Sequence, residues 1–164
     1  IHSKNYPKNY EDHDDCYWYI EVEKNFVIKL QFIEFDVEAH FDCVMDYIKV
    51  FDGDSEEDRV LLNHCGRALP SPPSLLSTGN KMLVRMKIDG GMSAKGFLAN
   101  YTIVSCGGLL EHPFGNLSTP GYPTSYPLST SCEWHISLGY GESIELTVIS
   151  YDIESSYNCT YDYV

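Results

Sequence analysis

Three carboxylates carry the chemistry this chain could do. Glu38 and Asp46 stand on either side of Cys43, and the same spacing returns at Glu154, Cys159 and Asp162. Asp89 follows an alternating apolar run and is succeeded by Gly90 and Gly91. Acids converging from separate loops offer hard oxygen ligands, the kind Ca2+ takes from carboxylates, carbonyls and waters. A glycine pair beside one acid lets the backbone turn a carbonyl inward, which makes Gly91 a candidate ligand beside the three acids.

Other chemistry fits less well. Paired carboxylates can hydrolyse glycosides, but three acids near one loop cluster suit a metal better. No H-E-x-x-H, G-x-S-x-G or phosphate-loop motif occurs. The six histidines, His2, His13, His40, His64, His112 and His135, share no spacing with a serine or an acid. No catalytic residue is expected, and the chain reads as a binding protein rather than an enzyme.

Charge and cysteine usage narrow the partners and the compartment. The 164 residues hold 24 acids against 11 bases, a net charge of −13. Nucleic acid would be repelled, whereas cations and basic protein segments would be drawn in. Six cysteines with no C-x-x-C pair suggest disulfides and an oxidising, extracellular setting. Three N-glycosylation sequons, at Asn100, Asn116 and Asn158, support the same address, although Cys159 is a poor middle residue for the last. No transmembrane run or signal peptide is visible in these residues, so membrane insertion by this segment is not expected.

The elements that must position the acids come in two copies. Tyr6-Pro7, Tyr10, Cys16, Trp18, Ile20, Asp36, Glu38, Cys43 and Asp46-Tyr47 return 116 residues later as Tyr122-Pro123, Tyr126, Cys132, Trp134, Ile136, Asp152, Glu154, Cys159 and Asp162-Tyr163. Laid over residues 117–164 without a gap, residues 1–48 give 14 identities. The expected division is a first unit over residues 1–105, lacking its opening residues, and a second over 106–164, truncated at its end. The chain thus reads as a window on a longer tandem array. In the simplest disulfide scheme each unit has four cysteines, paired first to second and third to fourth. That joins Cys43 to Cys65 and Cys106 to Cys132, and leaves Cys16 and Cys159 unpaired by truncation.

Local patterning reads as all-β. Residues 17–22 and 26–32 are rich in β-branched and aromatic residues, and Tyr47–Phe51 runs into the turn signal Asp52-Gly53-Asp54. Residues 81–88 alternate Met82, Val84, Met86 and Ile88 with polar neighbours, and 96–104 reads as a last strand. Residues 69–77, with Pro70, Pro72 and Pro73, read as a loop. Short strands with frequent turns imply an antiparallel β-sandwich. Almost no linker separates the copies, so adjacent units should sit close.

These residues carry a resemblance. The runs Asn5-Tyr6-Pro7-x-x-Tyr10 and Cys16-x-Trp18-x-Ile20 are similar to the opening of a CUB domain. Asp36-x-Glu38, Cys43-x-x-Asp46-Tyr47-Ile48-x-Val50-x-Asp52-Gly53, Cys65-Gly66 and Gly96-Phe97-x-x-x-Tyr101 continue the pattern, and Ser118-x-Pro120-Gly121-Tyr122-Pro123 reopens it in the second copy. The resemblance implies a jelly-roll-like sandwich, a secreted or cell-surface location and the same disulfide pairing. In calcium-binding members the positions of Glu38, Asp46 and Asp89 are metal ligands, and that of Tyr10 buttresses them; Glu154, Asp162 and Tyr126 form the matching partial site. Trp18 and Trp134 are expected in the core near a disulfide, Tyr6 and Tyr122 in turns, and Phe41 and Met92 beside the calcium loops, in reach of a ligand. The uninterrupted succession of units resembles the layout of cubilin-like endocytic receptors. The implied function is calcium-dependent binding of an extracellular protein ligand through its Lys or Arg side chains, with neighbouring CUB domains as partners in the parent chain. The alternative is the non-catalytic, substrate-recruiting region of a tolloid-type metalloprotease or of its enhancer.

Overall fold

The computed structural model describes residues 1–164. Nine strands follow one another: β1 (Asp15–Glu21), β2 (Phe26–Asp36), β3 (Tyr47–Phe51), β4 (Val60–His64), β5 (Ser74–Leu76), β6 (Lys81–Lys87), β7 (Gly96–Ser105), β8 (Gly107–Leu110) and β9 (Glu133–Ile136). In a strand, alternate side chains point to opposite faces. Accordingly β2 buries Ile28, Leu30 and Phe32 while Lys29 and Gln31 stay outside, and β6 buries Met82, Val84 and Met86. Seven strands thereby form two antiparallel sheets, ordered β1-β6-β3-β4 and β5-β2-β7. Their apolar faces close on one core of 17 buried residues, the all-β sandwich that the patterning implies.

Three details depart from the sequence reading. Strand β2 does not stop at residue 32. A bulge between Phe32 and Glu34 interrupts the alternation and returns Phe35 to the core, its ring 5.6 Å from that of Phe32. Periodicity ends where an extra residue is inserted, although the strand does not. The stretch 69–77 is not all loop, because Ser74–Leu76 pairs with β2 and Leu75 is buried. The prolines that suggested a loop end at Pro73, just ahead of the ladder to which they could not donate. Strand β4 leaves no periodic trace in the sequence, because it lies at a sheet edge with no clean alternation in burial.

The second copy is paired differently from the first. Strands β8 and β9 pair in parallel, with Gly108 opposite Trp134. No strand forms over residues 137–156. Ile144, Leu146 and Val148 repeat Ile28, Leu30 and Phe32 at the 116-residue offset, yet they are exposed. In the first copy those positions lie on β2, which is paired on both sides by β5 and β7 and faces the larger sheet across the core. The copies join without a linker: β7 ends at Ser105, and the N–H of Cys106 donates to the Asn25 carbonyl at 2.7 Å. Trp18, on edge strand β1, is half-buried and stands edge-on to Phe97, while Trp134 is likewise half-buried.

The outer face of the larger sheet is pinned by one cation. Arg85 donates from Nε and Nη2 to the two oxygens of Asp15, at 2.9 and 2.8 Å, and lies over the ring of Tyr17, its cross-strand neighbour. The guanidinium holds the Asp15 carboxyl below its ordinary value of 3.8. A depressed carboxylate contributes stability above its unfolded pKa and loses it as pH falls through the folded one. Solvent reaches 40% of the Asp15 side chain and screens the pair. Asp15→Asn should therefore cost only about 0.5–1 kcal/mol at pH 7. In thermal unfolding across pH, the difference from the parent should close below about pH 4.

Candidate functional site

Two loops and the strands behind them gather the acids at one end of the sandwich. Glu38 follows β2, Asp46 immediately precedes β3, and Asp89 lies just past β6. One carboxylate oxygen from each lies within 4.8 Å of the others. Asp46 is fully buried, and Glu38 and Asp89 are half-buried.

Tyr10 organises the cluster. Its hydroxyl donates to Asp46 Oδ2 at 2.6 Å and accepts the backbone N–H of Glu38 at 3.1 Å. The other Asp46 oxygen accepts the backbone N–H of Asp89 at 2.8 Å. One buried carboxylate thus ties together the three chain segments that bear the acids. Burial, reinforced by the Asp46 bond, raises the Tyr10 phenol above its ordinary range. Burial also pushes the Asp46 carboxyl up, and the nearby Asp89 charge adds to this, although the bonds from Tyr10 and the Asp89 N–H oppose it.

The remaining acids have open valences. Asp89 Oδ1 is buried and has no hydrogen-bond partner. Such an atom ordinarily costs free energy unless something satisfies it. A side chain on Gly91 would point into the cluster, with its Cβ 3.4 Å from Asp89 Oδ1 and 3.7 Å from Glu38 Oε2. Glycine keeps that space clear. Buried, converging and under-satisfied oxygens suit a hard cation, and Ca2+ accepts this ligand type.

His13, which shares no spacing with an acid in the sequence, holds the Asp89 loop. Its N–H donates to the Asp89 carbonyl at 2.8 Å, and its ring lies so close over Gly90 that a Cβ there would stand 2.5 Å from Cε1. Cys43 is disulfide-bonded to Cys65, fixing the loop between Glu38 and Asp46, and Cys106 is bonded to Cys132. Cys16 and Cys159 are free.

The second copy repeats the buttress. Tyr126 donates to Asp162 Oδ2 at 2.5 Å and accepts the Glu154 N–H at 3.1 Å, as Tyr10 does with Asp46 and Glu38. Two acids of this copy, Glu154 and Asp162, are thus linked through Tyr126. Phe41 and Met92 ride on the acid-bearing loops and are strongly exposed. Asn100, Asn116 and Asn158 are all exposed.

The family model described as the CUB domain matches residues 1–101 and 106–164. Cubilin of Canis lupus familiaris is 35% identical over 163 residues, 99% of this chain but 4% of that protein. Tolloid-like protein 1 of Homo sapiens is 36% identical over 168 residues, covering all of this chain and 16% of that protein. The chain therefore spans a small part of the relatives it matches. Among solved structures, the MASP-1 CUB2 domain bound to Ca2+ aligns with a TM-score of 0.55 and 28% identity, over 62% of this chain and 88% of that one.

Proposed function

The chain belongs to the CUB domain family, and on that footing we propose that it is a calcium-dependent protein-binding module from the extracellular part of a tandem-CUB receptor. The first unit spans residues 1–105 and the second 106–164. Glu38, Asp46 and Asp89, with the backbone at Gly91, would hold Ca2+, and Tyr10 would position them. The observation that carries this reading is the convergence of three carboxylates around Tyr10 with Asp89 Oδ1 buried and unpartnered. The calcium-bound state of the similar MASP-1 CUB2 domain lends support.

Three carboxylates against one Ca2+ leave the site with net negative charge. A Lys or Arg from a protein ligand can then form charge-assisted hydrogen bonds to it. No helix of the chain is long and apolar enough to cross a membrane. The paired cysteines and exposed sequons fit a secreted or cell-surface location. Asn100 and Asn116 should carry glycans on chain secreted from mammalian cells; a gel-mobility shift on amidase treatment checks this, and an unshifted band counts against it.

A calorimetric Ca2+ titration tests the main reading. Saturable binding is expected near the 10⁻⁴–10⁻³ M order of extracellular modules, abolished by EDTA. A flat titration in the millimolar range would overturn it. A second reading, a substrate-recruiting region of a tolloid-type metalloprotease or its enhancer, is favoured by the 36% identity to Tolloid-like protein 1. In both readings this segment binds rather than catalyses. A metalloprotease domain encoded in the same parent chain would select the second.

A further inference from the structure

The loop between β3 and β4 folds back across the outer face of the larger sheet. Lys81, Leu83 and Arg85 alternate along β6 and share that face. Asp54 is ion-paired to Lys81 at 2.6 Å and Glu56 to Arg85 at 2.5 Å, while the Tyr17 hydroxyl donates to Glu56 at 3.0 Å. The intervening Ser55 is thereby carried over Leu83. Burial agrees with this path. Tyr19, Leu83, Phe51 and Val60 stand in register across the four strands. The outer two are 66% and 49% exposed, whereas Leu83 and Phe51 are 1% and 2% exposed, although neither belongs to the sandwich core. The loop is a strap that seals the middle of an apolar row.

Ser55 lies exposed on this strap and is followed by three acids, Glu56, Glu57 and Asp58. Its hydroxyl accepts the Glu57 N–H at 3.2 Å. Ser131 and Ser143 also precede an acid by two residues, but neither is followed by a run of acids. A serine with acids at the next three positions presents the charge pattern that a kinase with a basic substrate groove selects.

We propose that Ser55 is a phosphorylation site for an acid-directed serine kinase, and that its phosphate lifts the strap from Leu83 and Phe51. In the transfer the Ser55 oxygen bonds to the γ-phosphorus of ATP. The bond from that phosphorus to the β,γ-bridging oxygen breaks, ADP leaves, and the hydroxyl proton passes to a base of the kinase. The product carries about −1.5 to −2 charge at pH 7. The bases within reach decide whether that charge tightens or loosens the strap. Residues 52–59 already hold five acids against the single base Arg59. Lys81 is taken by Asp54, Arg85 by Asp15 and Glu56, and Arg59 by Asp52. Lys49, opposite Arg85 on β3, lies over the Tyr47 ring, 4.6 Å from its centroid. None of these bases is free to receive the phosphate, so repulsion from the flanking carboxylates prevails. With the strap released, the row from Tyr19 to Val60 becomes one apolar surface on the outer face of the sheet.

The test treats the intact chain with ATP and casein kinase 2, an acid-directed enzyme. Peptide mass spectrometry should place one phosphate on Ser55, and Ser55→Ala should lose it. In the phosphorylated chain the Asp58 amide, which donates to the Ser55 carbonyl at 3.2 Å, should exchange its hydrogen at least about tenfold faster. Proton contacts between the Leu83 methyls and the strap, seen by nuclear Overhauser effects, should disappear. Ser55→Glu, which needs no kinase, should move both readings in the same direction by a smaller amount. Absence of phosphate at Ser55 would overturn the proposal, as would a phosphorylated chain whose strap exchanges no faster. Slower exchange would mean that the phosphate is bound rather than repelled, and would overturn it equally.

Discussion

Asp89→Ala is expected to bind Ca2+ at least about 100-fold more weakly than the parent and yet to melt no lower in EDTA. The first half follows from ligand loss, since disturbing even a group that supports a ligand costs about 10–100-fold in metal affinity. The second half follows from what the Asp89 side chain does without metal. Its carboxylate accepts no hydrogen bond, Oδ1 is buried without a partner, and its charge helps to raise the Asp46 carboxyl. Removing it takes away repulsion and an unsatisfied atom. The structural bonds at residue 89 are made by the backbone, whose N–H reaches Asp46 and whose carbonyl accepts from His13, and alanine keeps both. With Ca2+ at 100 times Kd, the parent should gain about 2.7 kcal/mol that the variant lacks. Thermal unfolding with Ca2+ and with EDTA measures both halves. A variant still stabilised by Ca2+ would remove Asp89 from the site. One that melts several degrees lower in EDTA would make Asp89 a structural residue.

Asp46 is the counterexample that makes this contrast informative. It is the one fully buried acid of the three, and it accepts from both Tyr10 and the Asp89 N–H. Its loss would confound metal binding with folding, because two donors would be left facing a void. In the proposed site the acids would thus divide their labour: Asp46 would hold the loops together, and Glu38 and Asp89 would face the ion.

That division could not be read in the sequence, although the acids could. Duplication singled out Glu38 and Asp46 through their fixed spacing about Cys43, and the glycines marked Asp89. The hydroxyl of Tyr10 lies 36 residues from the carboxylate it meets, and no local pattern encodes such a pair. Tyr10 was therefore reached through family likeness alone. His13 was missed because its role lies in a backbone N–H and in ring contact with a glycine, neither of which depends on histidine chemistry. The same boundary runs through the fold. Strands with one buried face were legible, as in the alternation of Met82, Val84 and Met86. The bulge after Phe32, the short Ser74–Leu76 strand behind its prolines and the parallel pairing of β8 with β9 were not, since each depends on a partner strand.

Phe97→Ala should be the most damaging single truncation of the first unit, costing about 3–5 kcal/mol out of the 5–15 typical of a whole domain. Phe97 is fully buried and lies between the sheets. Its ring stands edge-on to Trp18 of β1 at 5.2 Å, in the larger sheet, and 5.7 Å from Phe32 of β2, in the smaller. Aromatic pairs of this kind add to the transfer free energy of the buried ring. Truncation would open a cavity bounded by both sheets, which cannot collapse without moving one against the other. The backbone offers no compensation, because the Phe97 N–H already donates to the buried Ser3 hydroxyl at 3.1 Å. Urea unfolding should show the midpoint falling with an unchanged slope, the mark of lost stability rather than altered compactness. Phe41→Ala provides the control, since a side chain 89% exposed should change stability by no more than about 0.5 kcal/mol. If Phe97→Ala cost less than about 1 kcal/mol, the two sheets would not be packed through this ring, and the rigid scaffold on which the acidic pole depends would have to lie elsewhere.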